Sequence, residues 1–176
     1  MIRKAETADL PAVAAIYDAI LDLEEEGRMS IGWQRGVYPT ENTARAAVEA
    51  GDLFVMEEDG RIIASGRINQ MQMPAYAEAP WKFEARDDQV MVLHTLTVDP
   101  ACTRRGYAGR FLEFYEEYAK KNGCTVLRID TNAKNTAARA MYAGRGYIES
   151  GIIPCEFNGI RDVSLVCMEK RIAAEQ

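Results

Sequence analysis

The sequence predicts an α/β (α+β) fold, one domain over residues 1–176 in which a mixed β-sheet is flanked by helices on both faces. Three observations carry this expectation. Strand and helix periodicities alternate along the chain in the order β-α-α-β-β-β-α-β-α-β-β. A strand, a helix and a second strand follow one another over about residues 91–131, the pattern of a right-handed crossover between parallel or nearly parallel strands. Asp59-Gly60 stands between two apolar runs and marks an antiparallel hairpin, so the sheet has to be mixed. The chain of 176 residues is 48% hydrophobic and 27% charged, which excludes disorder, collagen and coiled coil as readings of the whole. No repeat, low-complexity tract or Pro/Ser-rich linker divides it.

Each element has its own signal. Ile2 to Glu6 reads as a first strand, and Asp9 as a cap for a helix that tolerates Pro11 in its first turn. Leu10, Val13, Ala14, Tyr17, Ile20 and Leu21 give that helix its apolar face. An aromatic-bearing stretch, 33–39, leads to Thr40, the cap of a second helix stopped at Gly51. Residues 53–57 and 61–68 are the hairpin strands. The stretch from about Gln70 to Gln89 is irregular, and a loop of that length in a compact domain is more often functional than idle. Met91 to Val98 is a strand ended by Asp99-Pro100; a helix runs from about Arg105 to Asn122, with Phe111, Leu112, Tyr115, Tyr118 and Ala119 on its apolar face and Gly123 as its stop. Val126 to Thr131 is a strand, Asn135 to about Ala143 a helix, and residues 147–149 and 162–169 are the closing strands.

Charge and composition narrow the function. With 21 basic and 27 acidic residues the net charge is −6, opposite in sign to a general nucleic-acid binder. Asp18, Asp22, Glu24, Glu25 and Glu26, against Arg28 alone, form either a solvated helix end or a rim attracting a cationic substrate. The four cysteines form no Cys-x-x-Cys pair and there is one histidine, so no metal site is expected, and the cysteines read as free thiols. No run of about 18 apolar residues exists, so no membrane span is expected. The first residues lack the apolar stretch of a secretory signal, and a cytoplasmic location is the expectation.

The informative segment is 99–110. It joins a strand to a long helix, whose first N–H groups lack internal partners and carry about half a positive charge. Gly106, Ala108 and Gly109 let a ligand approach the backbone, and Arg104, Arg105 and Arg110 add cations. Three effects thus favour an anion at one place. Spacing alone leaves open an ordinary βα turn with its arginines in water. The loop is not a Gly-x-x-x-x-Gly-Lys-Ser/Thr loop, nor the Gly-x-Gly-x-x-Gly of a dinucleotide fold.

Thr103-Arg104-Arg105-Gly106-Tyr107-Ala108 is similar to Gln/Arg-x-x-Gly-x-Gly/Ala, the pyrophosphate loop of the GNAT superfamily of acyl-CoA-dependent N-acyltransferases. Residues 135–147 resemble its second signature, Asn-x-x-Ala-x-x-aliphatic-Tyr-x-x-x-Gly-Phe, with Asn135, Ala138, Met141, Tyr142, Gly146 and Tyr147 in register. Both stand in order on the expected elements, and the element order resembles the family's over nearly the whole chain. Thr103 departs from the pattern, but backbone amides carry most of that contact.

The resemblance implies transfer of an acetyl group from acetyl-CoA to an amine by direct attack in a ternary complex, with coenzyme A as product. It implies that Leu96 and Val98 lie beside the pantetheine, that Thr103, Arg104, Arg105, Gly106, Tyr107, Ala108 and Gly109 hold the pyrophosphate, and that Asn135 begins a helix beside the cofactor. Tyr142 falls on the general-acid position; a core tyrosine is the alternative. The amine must be neutral to attack, and a lysine-like amine of pKa about 10.4 is so in only about one molecule in 2,500 at pH 7, a deficit of roughly 4.6 kcal/mol. His94, matching a base of the arylalkylamine branch, and Glu84 are the candidate bases. Trp33, Tyr38, Trp81 and His94 are the candidate acceptor contacts, suited to a small cationic amine. A protein or peptide amine is the alternative acceptor, and a non-catalytic acetyl-CoA-binding module the alternative class. A homodimer is common in the family.

Overall fold

The computed structural model describes residues 1–173. Its strands are β1 (Ile2–Lys4), β2 (Leu53–Glu58), β3 (Arg61–Asn69), β4 (Val90–Val98), β5 (Val126–Asn132), β6 (Ile148–Phe157) and β7 (Ile160–Arg171). Its helices are α1 (Leu10–Glu25), α2 (Glu41–Glu49), α3 (Tyr107–Lys121) and α4 (Thr136–Gly144). The element order is the expected one, and the sheet has seven strands in the order β1-β2-β3-β4-β5-β7-β6. Among the described residues no helix is long and apolar enough to cross a membrane.

The chain resolves into two compact units, the first holding residues 1–29, 33–68 and 93–115. Its core collects Leu10, Val13 and Tyr17 of α1, Ala44 and Ala47 of α2, and Leu53 and Val55 of β2. Thr40 caps α2 as expected, and Asp9 stands at the N-cap of α1 without a capping side-chain bond. The Asp9 carboxylate instead takes two hydrogen bonds from Arg3 (2.7 and 2.9 Å) and one from the Glu6 N–H (2.8 Å), and the Arg3 guanidinium lowers its pKa. β1 ends at Lys4, two residues earlier than expected, although the Ala5 N–H still bonds the Leu53 carbonyl (2.9 Å). Gly66 on β3 lets α3 close in, because a Cβ there would stand 2.8 Å from Phe111 and 3.0 Å from Leu93.

The second unit holds residues 30–32, 69–92 and, among the described residues, 116–173. Here the closing strands are much longer than expected. They form one hairpin whose turn, Asn158-Gly159, has positive φ at both residues (52° and 79°), the form that matches strand twist. Gly151 and Pro154 within β6 hid its alternation. The Asn-Gly pair was the signal available. The 70–89 stretch is irregular as expected, apart from single 3-10 turns at Pro74–Glu78 and Asp87–Gln89.

Candidate active site

In the first unit, the 33–38 segment is strapped onto α1. Arg35 reaches three carboxylates of the acidic run, Asp18 (3.1 Å), Asp22 (2.5 Å) and Glu25 (2.9 Å). Much of the rim expected to attract cations is therefore already paired. The strap holds Trp33 edge-on to Tyr38, with ring centroids 6.1 Å apart. The Tyr38 hydroxyl bonds the hydroxyl of Thr95 on β4. Thr95 has φ +52°, a costly conformation for a β-branched residue, of the kind that collects at functional positions. His94 and Leu96 flank it, and both are half-buried, as is Val98. The Trp33–Tyr38 pair thus meets β4 through Tyr38 at Thr95, the residue between His94 and Leu96.

The strand ends in a turn built by Asp99, whose carboxylate accepts from the Ala101 N–H (2.9 Å) and whose carbonyl accepts from the Cys102 N–H (2.8 Å). The backbone is left-handed at Arg104 (φ +63°) and Gly106 (φ +76°), with Arg105 between them, and α3 starts at Tyr107. Alternation of this kind turns successive N–H groups into an anion-binding concavity. The first helix-closing bond is from the Arg110 N–H to the Gly106 carbonyl (3.0 Å), so the amides of Tyr107, Ala108 and Gly109 precede the helix's own bonding. Residues 103–106 are exposed, and no atom lies within 4 Å of where a Gly106 Cβ would sit. The Tyr107 hydroxyl hydrogen-bonds the Arg105 guanidinium and raises its pKa, and Arg110 lies over the Tyr107 ring at 5.7 Å.

In the second unit, β5 and β7 present an unexpected polar face. Period-two alternation puts Arg128, Asp130 and Asn132 on one side of β5, and their β7 partners Glu169, Cys167 and Leu165 point the same way. The 70–89 loop covers this face. Glu169, with 0% exposure, accepts from the N–H groups of Lys82 (2.6 Å) and Phe83 (3.2 Å) and from the Ser150 hydroxyl (2.6 Å). Arg128 bonds Gln72 and lies against the Trp81 ring at 4.1 Å. Trp81 also donates to the Tyr76 carbonyl (2.8 Å) and packs edge-on against the Tyr76 ring. The Tyr76 hydroxyl donates to Asp130 Oδ2 (2.6 Å). Burial pushes the Asp130 carboxyl up to about 6 against that bond.

Asn135 caps α4 by accepting from the Ala138 N–H (3.1 Å). Arg139 fastens the helix through a two-pronged pair with Glu149 (2.7 and 3.0 Å). Tyr142 on the same helix is 6% exposed and edge-on to Tyr147. Burial, then the nearby Asp130 charge, raise its pKa, so it holds its proton at any physiological pH. Glu84 stands exposed and makes no hydrogen bond or ion pair among the described residues, which gives it no partner to orient it as a base. Sequence reasoning missed Asp130, Glu169 and Thr95. The first two had a legible trace, a charged residue at alternate positions within otherwise apolar strands.

The acetyltransferase (GNAT) family model matches residues 15–147, a span that includes both motifs. The uncharacterized N-acetyltransferase YhfO of Bacillus subtilis is 25% identical over 148 residues, 84% of this chain and 89% of that one. A GNAT-family acetyltransferase from Streptococcus agalactiae superposes with a TM-score of 0.81 at 21% identity, covering 98% of this chain and 95% of that one. The yncA structure from Salmonella typhimurium, solved with its cofactor acetyl-CoA, superposes with a TM-score of 0.70 at 19% identity, covering 100% of this chain and 95% of that one. At these identities the two structures establish the fold, and the family match establishes the membership: the chain belongs to the GNAT acetyltransferase family.

Proposed function

We propose that the chain, acting as one N-acetyltransferase domain over residues 1–176, transfers an acetyl group from acetyl-CoA to the primary amine of a small molecule by direct attack. The observation that carries this reading is the left-handed, exposed turn at Arg104–Gly106 opening onto the N-terminus of a 15-residue helix. Backbone N–H groups and three arginines there suit a pyrophosphate. When bound, acetyl-CoA supplies an acyl thioester, which an amine attacks at the carbonyl carbon with departure of the thiolate.

The residues divide the remaining work. Leu96 and Val98 flank the pantetheine, and a backbone N–H of that strand serves the developing oxyanion. Tyr142 delivers the proton to the leaving sulfur. Its raised pKa keeps the phenol loaded at every working pH, at the cost of a weaker acid. His94 and Glu84 are the bases the sequence suggested for the amine. The edge-on pair of Trp33 and Tyr38 suits a small cationic acceptor.

A thermal unfolding scan with acetyl-CoA, coenzyme A, ATP and NAD at equal concentration tests the reading. Ligand at 100 times its dissociation constant adds about 2.7 kcal/mol, which raises the midpoint by several degrees. Stabilisation by acetyl-CoA and coenzyme A alone is the expected result. A stronger response to ATP or NAD overturns the ligand. Retained acetyl-CoA binding without thiol release on any amine favours a non-catalytic binding module.

A further inference from the structure

The anion-binding turn has beside it a carboxylate that anion binding does not call for. Glu58 is the last residue of β2, just before the Asp59-Gly60 turn of the hairpin. Its Oε2 oxygen is withdrawn from solvent and has no hydrogen-bond partner. Among the described residues, the one cation within ion-pair distance is Arg110, whose Nη1 stands 3.8 Å from that oxygen. Glu58 also reaches Arg105 electrostatically, adding to a pKa raised chiefly by the Tyr107 hydroxyl. Arg61, opposite Glu58 across the hairpin, turns instead to Asp99 (3.4 Å).

At 3.8 Å the contact is too long for a hydrogen bond, so Glu58 does not orient the Arg110 guanidinium. Arg139 and Glu149 show what an orienting pair looks like, two prongs at 2.7 and 3.0 Å. Tyr107 orients the turn's arginines, since its hydroxyl bonds Arg105 and its ring lies 5.7 Å from Arg110. What Glu58 supplies is charge. Arg104, Arg105 and Arg110 against Asp99 leave the 99–110 segment at +2, and Glu58 brings the neighbourhood to +1. A carboxylate oxygen taken out of water without a donor gives the fold little in return. Its effect falls on an anion that arrives at the turn.

We propose that Glu58 sets how tightly the turn holds coenzyme A: Arg110 passes from the carboxylate to a cofactor phosphate on binding and returns to it on release. This rests on the acetyl-transfer reading. Acetyl-CoA and the coenzyme A left after transfer carry the same phosphates, so a turn that grips one grips the other. Binding shared in this way does not speed the chemical step, and product departure limits many enzymes. A counter-charge waiting for Arg110 shortens the stay of both. Glu58 is thus a positioning residue, acting through Arg110 rather than on the reacting atoms.

The test titrates the native chain, Glu58→Gln, Arg110→Gln and the double variant with coenzyme A and with acetyl-CoA by calorimetry, and follows coenzyme A dissociation by stopped flow. Glu58→Gln should tighten both ligands about fivefold, by the same factor, through slower dissociation. Arg110→Gln should weaken both about tenfold. With Arg110→Gln in place, adding Glu58→Gln should change either affinity by less than about twofold. In about 0.5 M KCl the gain from Glu58→Gln alone should also shrink below about twofold. Unchanged or weaker binding by folded Glu58→Gln overturns the proposal, and Glu58→Ala is the deciding variant if Glu58→Gln fails to fold. A gain that persists undiminished beside Arg110→Gln also overturns it, because the carboxylate would then repel the phosphates without sharing the arginine. So does a gain for one ligand alone. A native chain that binds neither ligand overturns the acetyl-transfer reading instead.

Discussion

The 99–110 turn and the Asp130 face solve opposite problems. The turn is contiguous, exposed and made largely of backbone; its left-handed residues and helix start suit an anion from water, and its side chains only add to the field. The Asp130 face is assembled from β5, β6, β7, α4 and the 70–89 loop, is largely covered, and works through side chains whose pKa values burial has moved. An anion that brings its own charge needs oriented dipoles. A proton transfer needs a group whose ionised and neutral forms are nearly balanced, and low-dielectric surroundings are the means of reaching that balance.

The largest expected effect falls on α4. Tyr142→Phe should lower kcat about 1000-fold while leaving the acetyl-CoA dissociation constant within about twofold. An equal loss in binding would make Tyr142 a packing residue and erase the functional contrast with the turn. Next is the foundation of the covering loop. Glu169→Ala leaves two amides and a hydroxyl without their acceptor and Arg128 without its counter-charge, and should cost about 3 kcal/mol in urea unfolding. A loss below about 1 kcal/mol would mean the loop is held elsewhere. Gly106→Val puts a β-branched side chain at φ +76°, where the surrounding space is open and only the backbone resists. It should weaken acetyl-CoA about 100-fold in calorimetric titration, with the unfolding midpoint nearly unchanged. An unaltered affinity would remove the turn from the cofactor site.

These regions also differed in how far they could be read from the chain. A contiguous loop keeps its chemistry in sequence order, so Arg104, Gly106 and the helix start were visible together, as were Asn135 and Tyr142 on one helix. The element order was visible for the same reason, since periodicity is local. Asp130 meets Tyr76 across 54 positions and Cys167 across a strand pair whose register depends on where the β6–β7 hairpin turns. Two short closing strands do not reveal the partner facing Asp130; the full-length hairpin, whose turn is Asn158-Gly159, sets it. Thr95 was hidden differently. Nothing in Leu93-His94-Thr95-Leu96 announces a left-handed residue, which is held by a hydroxyl 57 positions away.

The smallest expected effect is the one that separates a working carboxylate from a structural one. Burial raises the Asp130 pKa from 3.8 to about 6, so the folded chain binds this proton more tightly than the unfolded chain. The sign follows from linkage: the contribution of this group to stability is complete below about pH 4 and is lost as pH rises through about 6. Above that pH the ionised form costs the fold at most about 3 kcal/mol. Asp130→Asn keeps the shape and a partner for Tyr76 but cannot ionise. Its urea midpoint should match the native chain at pH 4 and exceed it at pH 8. A carboxyl kept for packing gains nothing from ionising, so the difference between the two pH values isolates the cost of its charge. Were Asp130→Asn less stable than the native chain at both pH values, the carboxylate would belong to the fold, and the contrast with the turn would reduce to one of burial.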